Sequence, residues 1–277
     1  MTTKIKTLKS LLIASTLTVS AFASFNSMAH SEHKHANSAL DYAVVGEHRS
    51  DKNKARDQYR HPVETLKFFG FTPEMTVVEI TPGGGWYTEI LAPALKGTGK
   101  LYGAHYPDTG EDNYYSNSRK RLEKKLASNK VFNEVVLTDF VPRQQSELAP
   151  KGSADLVLTF RNLHNWKDAG VEQVFKDAFK ALKKGGVLGV VEHRLPAGVD
   201  PKKAAGYVSE AKTIKQAKAA GFRFAGASEV NANSKDLAQH PKGVWTLPPS
   251  LALKDQDKAK YLAIGESDRM TLKFVKP

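Results

Sequence analysis

From Thr76 onward, short apolar runs alternate with longer stretches whose apolar residues recur at helical spacing, and polar or glycine-bearing segments separate them. The runs predict strands over Thr76–Ile80, Lys100–His105, Glu134–Thr138, Ala154–Phe160 and Val187–Glu192, with two closing strands over Phe222–Val230 and Met270–Val275. Helices are predicted over Trp86–Leu95, Tyr114–Ala127, Ala169–Leu182 and Lys202–Ala219. Lys183-Lys184-Gly185-Gly186 reads as a helix stop, with basic residues at the negative end of the dipole and glycine beyond it. Strands alternating with helices call for a mostly parallel sheet covered on both faces, that is, a Rossmann-like α/β domain.

Upstream, Asp41–Phe69 reads as helical, with Asp51 as an N-cap and a break or fresh helix start at His61-Pro62. Between the closing strands, Asn231–Arg269 is too long for a hairpin loop, and its Trp245 and Pro248-Pro249 predict an ordered flap. The first residues belong to another category. Lys4, Lys6 and Lys9 precede an uncharged run, Leu11–Ala23, followed by small residues, the pattern of a secretory signal peptide cleaved after Ala23 or Ala29. That run is shorter than the roughly 20 residues of a membrane-spanning helix. The expectation is a periplasmic or secreted protein with no membrane span in its mature part, a flexible His-containing terminus over residues 30–40, and a single domain over residues 41–277.

The formal charge of +12 includes three units from the leading lysines and stays basic without them. Basic surfaces admit nucleic acid or anionic lipid. Here the lysines are scattered over helical segments instead of gathering with aromatics in one stretch, so solvated helix faces account for them and a small-molecule partner is the better expectation. The chain contains no cysteine, which excludes disulfides, thiolate nucleophiles and thiolate-ligated zinc. No metal ligands stand at a recognisable spacing, and no metal is expected.

The candidate chemistry lies where strands end. Val77-Val78-Glu79-Ile80-Thr81-Pro82-Gly83-Gly84-Gly85-Trp86-Tyr87 is an apolar strand, a glycine turn and a helix start. Missing Cβ atoms at Gly83, Gly84 and Gly85 let backbone approach a ligand, and the helix start offers free N–H groups. Glu79 is placed to touch a ligand or to tie down the turn. The motif resembles motif I of class I S-adenosylmethionine (SAM) methyltransferases, with Thr81 where their first glycine stands; a nicotinamide-binding turn is the competing reading.

The resemblance implies a seven-stranded sheet, SAM as cofactor, and cofactor contacts from Glu79, Thr81, Gly83, Gly84 and Gly85. The second strand ends Gly103-Ala104-His105-Tyr106-Pro107-Asp108, without the acidic residue that usually holds the ribose, so His105 or Asp108 would make that contact. Asp139 resembles the family's adenine-binding acid, though a loop cap explains it equally well. Arg161 and Asn162 would flank the cofactor.

Arg161-Asn162-Leu163-His164-Asn165-Trp166 resembles the His-Asp-Trp segment of small-molecule O-methyltransferases, whose histidine removes the substrate's proton; Asn165 departs from it. His164 is the candidate general base, with Glu192 and His193 on the same sheet edge as further catalytic candidates. Residues 41–277 also resemble a family of predicted exported bacterial methyltransferases, on Ala55-Arg56-Asp57-Gln58-Tyr59-Arg60-His61-Pro62, the glycine turn, the His164 segment, Gly243–Pro249 and Ile264–Met270.

The function expected is methyl transfer from SAM to a small-molecule oxygen or nitrogen. An exported domain is separated from the cytoplasm, where SAM is made. That opens a second expectation, a non-catalytic ligand-binding or sensing protein on the same scaffold; hydrolysis or isomerisation at the His164, Glu192, His193 group is a third.

Overall fold

The computed structural model describes residues 1, 2 and 39–277. The signal-peptide expectation and the histidines of the early mature segment lie outside them. Helix α1 occupies residues 39–45 and is followed by the short helices α2 (Asp51–Lys54) and α3 (Asp57–Arg60) and by α4 (Pro62–Phe69). Ser50, not Asp51, caps α2 by accepting from the Asn53 amide, and Asp51 occupies the first helical position. Pro62 opens α4, because its missing N–H is one the helix start leaves free in any case.

The sheet has seven strands in the order β3-β2-β1-β4-β5-β7-β6. These are β1 (Thr76–Ile80), β2 (Lys100–His105), β3 (Val136–Asp139), β4 (Ala154–Phe160), β5 (Leu182–His193), β6 (Arg223–Ser228) and β7 (Arg269–Val275). All pairs are parallel except the two made by β7, which runs antiparallel between β5 and β6. This is the Rossmann-like seven-stranded, mostly parallel arrangement of the class I methyltransferase fold.

Alternation along the central strands sends side chains to opposite faces. Val78, Ile80 and Val157 enter one buried cluster, while Val77, Leu156 and Leu158 enter the other. Burial on both faces is why these strands read as unbroken apolar runs.

The connecting helices are α5 (Thr88–Leu95), α6 (Tyr114–Ala127), α7 (Leu163–Ala181), α8 (Glu210–Ala219) and α9 (Lys258–Ile264). Two expectations are corrected. The helix expected from Lys202 begins only at Glu210: Gly206 has φ +86°, Val208 bridges to Arg194, and Ser209 caps the helix by accepting from the Lys212 amide. The glycine-rich stop after α7 is not loop but the start of β5, where Ala154 pairs with Leu182 and the register then shifts to Leu156 with Val187. Residues 231–268 are ordered around a short 3-10 turn, Gly243–Thr246, and α9. Among the described residues no helix is long and apolar enough to cross a membrane.

Candidate functional site

Strand order reverses between β1 and β4, and ligands of open α/β sheets bind outside the carboxyl ends of strands at such a point. A cavity of about 600 Å³ lies there.

The β1 turn forms its floor. Thr81 carries φ +52°, a left-handed backbone that costs a β-branched residue about 1–2 kcal/mol. Its amide bonds the Ala104 carbonyl at 2.7 Å, while its buried hydroxyl has no partner. Gly83, at φ +59°, and Gly84 both line the cavity, and a Cβ on either would meet nothing within 4 Å. The turn is therefore open to a ligand, and the orphaned Thr81 hydroxyl offers it a polar contact. Gly85 is different: a Cβ there would strike Lys125 at 2.9 Å, so it serves packing against α6 and does not line the cavity.

Glu79 lies under the turn. It is 3% exposed, accepts from the Thr88 hydroxyl at 2.6 Å, and burial raises its pKa to about 7 against the opposing Thr88 bond and Lys125 charge. It ties strand to helix and does not line the cavity. Asn162 does line it, but spends its amide on the Ile80 carbonyl and the Thr159 hydroxyl, each at 3.1 Å, locking β4 to β1.

Two expected contacts fall away from the cavity. His105 is fully buried, with Nε2 3.2 Å from the Ser118 hydroxyl, and its neighbours Tyr106 and Ser118 face the cavity in its place. Asp108, the alternative, is turned to the Gly110 amide and to Lys120. Asp139 is exposed and paired with Arg119 at 3.1 Å.

His164, Glu192 and His193 come together where β4 and β5 end. His164 stands in the first turn of α7, which a non-helical Lys167 (φ 55°) sets off from the rest of the helix. Its Nδ1 is 3.1 Å from Oε1 of Glu192, a fully buried carboxylate that also accepts from the His164 and His193 amides. His193 Nδ1 meets the Ser267 hydroxyl at 2.5 Å. Burial, then His164 and the nearby arginines, push the His193 pKa well below the ordinary histidine value and hold the ring neutral. Trp245 from the 231–268 segment sets its ring 5.9 Å from His164, edge to face, and closes that side.

His164, Glu192 and His193 each bring a ligand atom within 4.8 Å of the others, a convergence that linear spacing did not reveal. These donors suit a transition metal. Arginines surround them, and a cation there would meet like charge.

Sequence reasoning missed the wall that Arg56 and Arg60 build with Glu266 and Arg269. Arg56 Nε and Arg60 Nε reach Glu266 at 2.6 and 3.3 Å, and Arg269 Nη1 reaches it at 3.3 Å. Burial alone would raise the Glu266 pKa, but Arg60, Arg269 and Arg56 outweigh it and hold the carboxyl at about 2. Arg60 lies over the Trp86 ring at 4.5 Å, and Trp86 Nε1 donates to the Asn53 carbonyl, fixing α2 and α3 across the glycine turn. The signal available was a pair of charge-rich segments, 55–62 and 264–270, set among apolar neighbours; nothing in linear order showed that they meet.

No protein-family model matches the sequence, and no curated protein matches it either. The fold has many solved counterparts. A SAM-dependent methyltransferase from Aquifex aeolicus superposes with a TM-score of 0.56 at 15% identity, over 80% of this chain and 93% of that one. A putative sarcosine dimethylglycine methyltransferase from Galdieria sulphuraria gives 0.56 at 13% identity, over 80% and 86%. The [4+2]-cyclase SpnF gives 0.58 at 14%, over 88% and 94%. At these identities the likeness is one of fold, and a cyclase among the matches shows that the fold alone does not choose the reaction.

Proposed function

We propose that the chain is an exported methyltransferase that moves a methyl group from SAM to an oxygen or nitrogen atom of a small molecule. The observation that carries this reading is that His164, backed by the buried Glu192, lines the same cavity as the open glycine turn. The leading basic and apolar segment supports export to the periplasm or beyond. Resemblance of residues 41–277 to exported bacterial methyltransferases points the same way.

SAM, when bound, supplies a methyl group made electrophilic by its sulfonium. Gly83, Gly84 and the Thr81 hydroxyl fit such a ligand, because the turn is open where side chains would stand and one buried polar atom lacks a partner. Glu192 accepts the Nδ1 proton of His164 and thereby selects the tautomer whose Nε2 lone pair is free. Nε2 takes the proton from the acceptor's hydroxyl or amine as its heavy atom attacks, and the buried Glu192 stabilises the imidazolium that forms. Asn162 and Trp245 hold the turn and the far wall in place around the reactants.

One observation favours the second reading, a binding or sensing protein: the end of β2 presents no carboxylate to the cavity, since His105 is buried and Asp108 is engaged elsewhere. Calorimetric titration with SAM and S-adenosylhomocysteine, with NADH alongside, separates the two. Micromolar binding of both sulfur ligands supports methyl transfer. Absence of both overturns it in favour of the binding protein, and binding of NADH alone would transfer the glycine turn to dinucleotide recognition.

A further inference from the structure

The wall formed by α3 and the segment before β7 carries more positive charge than the protein neutralises. Arg60, Arg161 and Arg269 each lie close enough to Arg56 to feel its positive charge, and Glu266 is the carboxylate in their midst. The nearest further carboxylates are engaged: Asp268 pairs with Arg194 at 2.8 Å, and Glu192 with His164. Arg161 has no ion pair and no side-chain hydrogen bond among the described residues; burial, then Arg269, lowers its pKa to about 10.

The unused donors are specific. Arg60 is 2% exposed, and its buried Nη1 has no partner. The buried Nη2 of Arg56 has none either. Both residues and Arg161 line the cavity. Buried guanidinium donors left unpaired are costly, and planar guanidinium forks match carboxylate and phosphate oxygens.

SAM cannot supply the balance, because its single carboxylate arrives with an ammonium and a sulfonium. We propose that the methyl acceptor is an anion, and that Arg56, Arg60 and Arg161 grip its carboxylate or phosphate group while its nucleophile lies toward His164. This rests on the methyltransferase reading for the word acceptor. The anion site itself rests only on the arginines.

The test is calorimetric titration of the wild-type protein with inorganic phosphate and with malonate at about 0.15 M salt, first alone and then with saturating S-adenosylhomocysteine, and repeated on Arg161→Gln. Arg161 holds no partner, so its replacement leaves the fold's own ion pairs intact; a thermal melt checks this. The expected result is binding of at least one anion that survives the sulfur ligand and weakens roughly tenfold or more in Arg161→Gln. Loss of anion binding when S-adenosylhomocysteine is present would assign the arginines to the donor's carboxylate and overturn the proposal. So would binding that Arg161→Gln leaves unchanged, or no binding of either anion. If S-adenosylhomocysteine fails to bind while the anions bind through Arg161, methyl transfer falls and the anion site stands, with an anionic ligand as its occupant.

Discussion

Arg56 and Glu266 meet at 2.6 Å across 210 residues of sequence, and that contact joins the helices before the first strand to the segment before the last. Removing the carboxylate leaves buried guanidinium groups with no counter-charge. Glu266→Gln is expected to lower stability by about 3–5 kcal/mol at pH 7, read by urea unfolding. A change below about 1 kcal/mol would mean that solvent already screens the cluster.

The same carboxylate sets an acid limit. Its pKa is depressed from 4.5 to about 2, so the stability it confers is fully present above pH 4.5 and is lost as pH falls toward 2. The amount is roughly 3 kcal/mol. Unfolding midpoints measured between pH 5 and pH 2 should fall less steeply in Glu266→Gln than in the wild type.

Glu79 works with the opposite sign. Its pKa is raised from 4.5 to about 7, so the folded state favours the protonated form and stability declines as pH rises through that interval. Glu79→Gln keeps an acceptor for the Thr88 hydroxyl and removes the ionisation. It should match the wild type at pH 4 and exceed it by up to roughly 3 kcal/mol at pH 8. Equal differences at both pH values would show that the buried carboxyl does not titrate in this range.

Gly84 gives a clean test of the turn. Its backbone is not left-handed, and a side chain would extend into open space in the cavity. Gly84→Val should therefore abolish binding of S-adenosylhomocysteine with a melting temperature close to that of the wild type. Binding that persists would move the cofactor elsewhere in the cleft.

His164→Ala should reduce methyl transfer about 100- to 10,000-fold while donor affinity stays the same, and Glu192→Gln should show a smaller loss. Unchanged transfer in His164→Ala would remove that residue from the chemistry.

How much of this was legible follows from physical locality. Strands β1, β2 and β4 and helix α6 match their sequence boundaries, because apolar side chains fill both faces of the strands and Asn113 caps the helix by accepting from the Tyr115 and Ser116 amides. The late start of α8 was hidden because it depends on Val208 bridging to Arg194, a contact between segments. His105 has the right position for a ribose contact and the wrong environment, since Ser118 takes its nitrogen and the sheet covers it. The pairing of His164 with Glu192 was within reach, as His164 follows β4 and Glu192 lies at the end of the adjacent β5. The arginine wall was not, because charge complementarity between distant segments leaves no periodic trace.

Strand β7 lies inside the sheet, between β5 and β6, although it follows both in the sequence. The earlier strands can pair among themselves, but Glu266 comes into place only with β7, so Arg56 and Arg60 lack their shared counter-charge until β7 is seated. The cavity's charge balance is thus completed only when β7 is seated: before that, the glycine turn, His164 and the gripping arginines are present without the carboxylate that holds Arg56 and Arg60 in place.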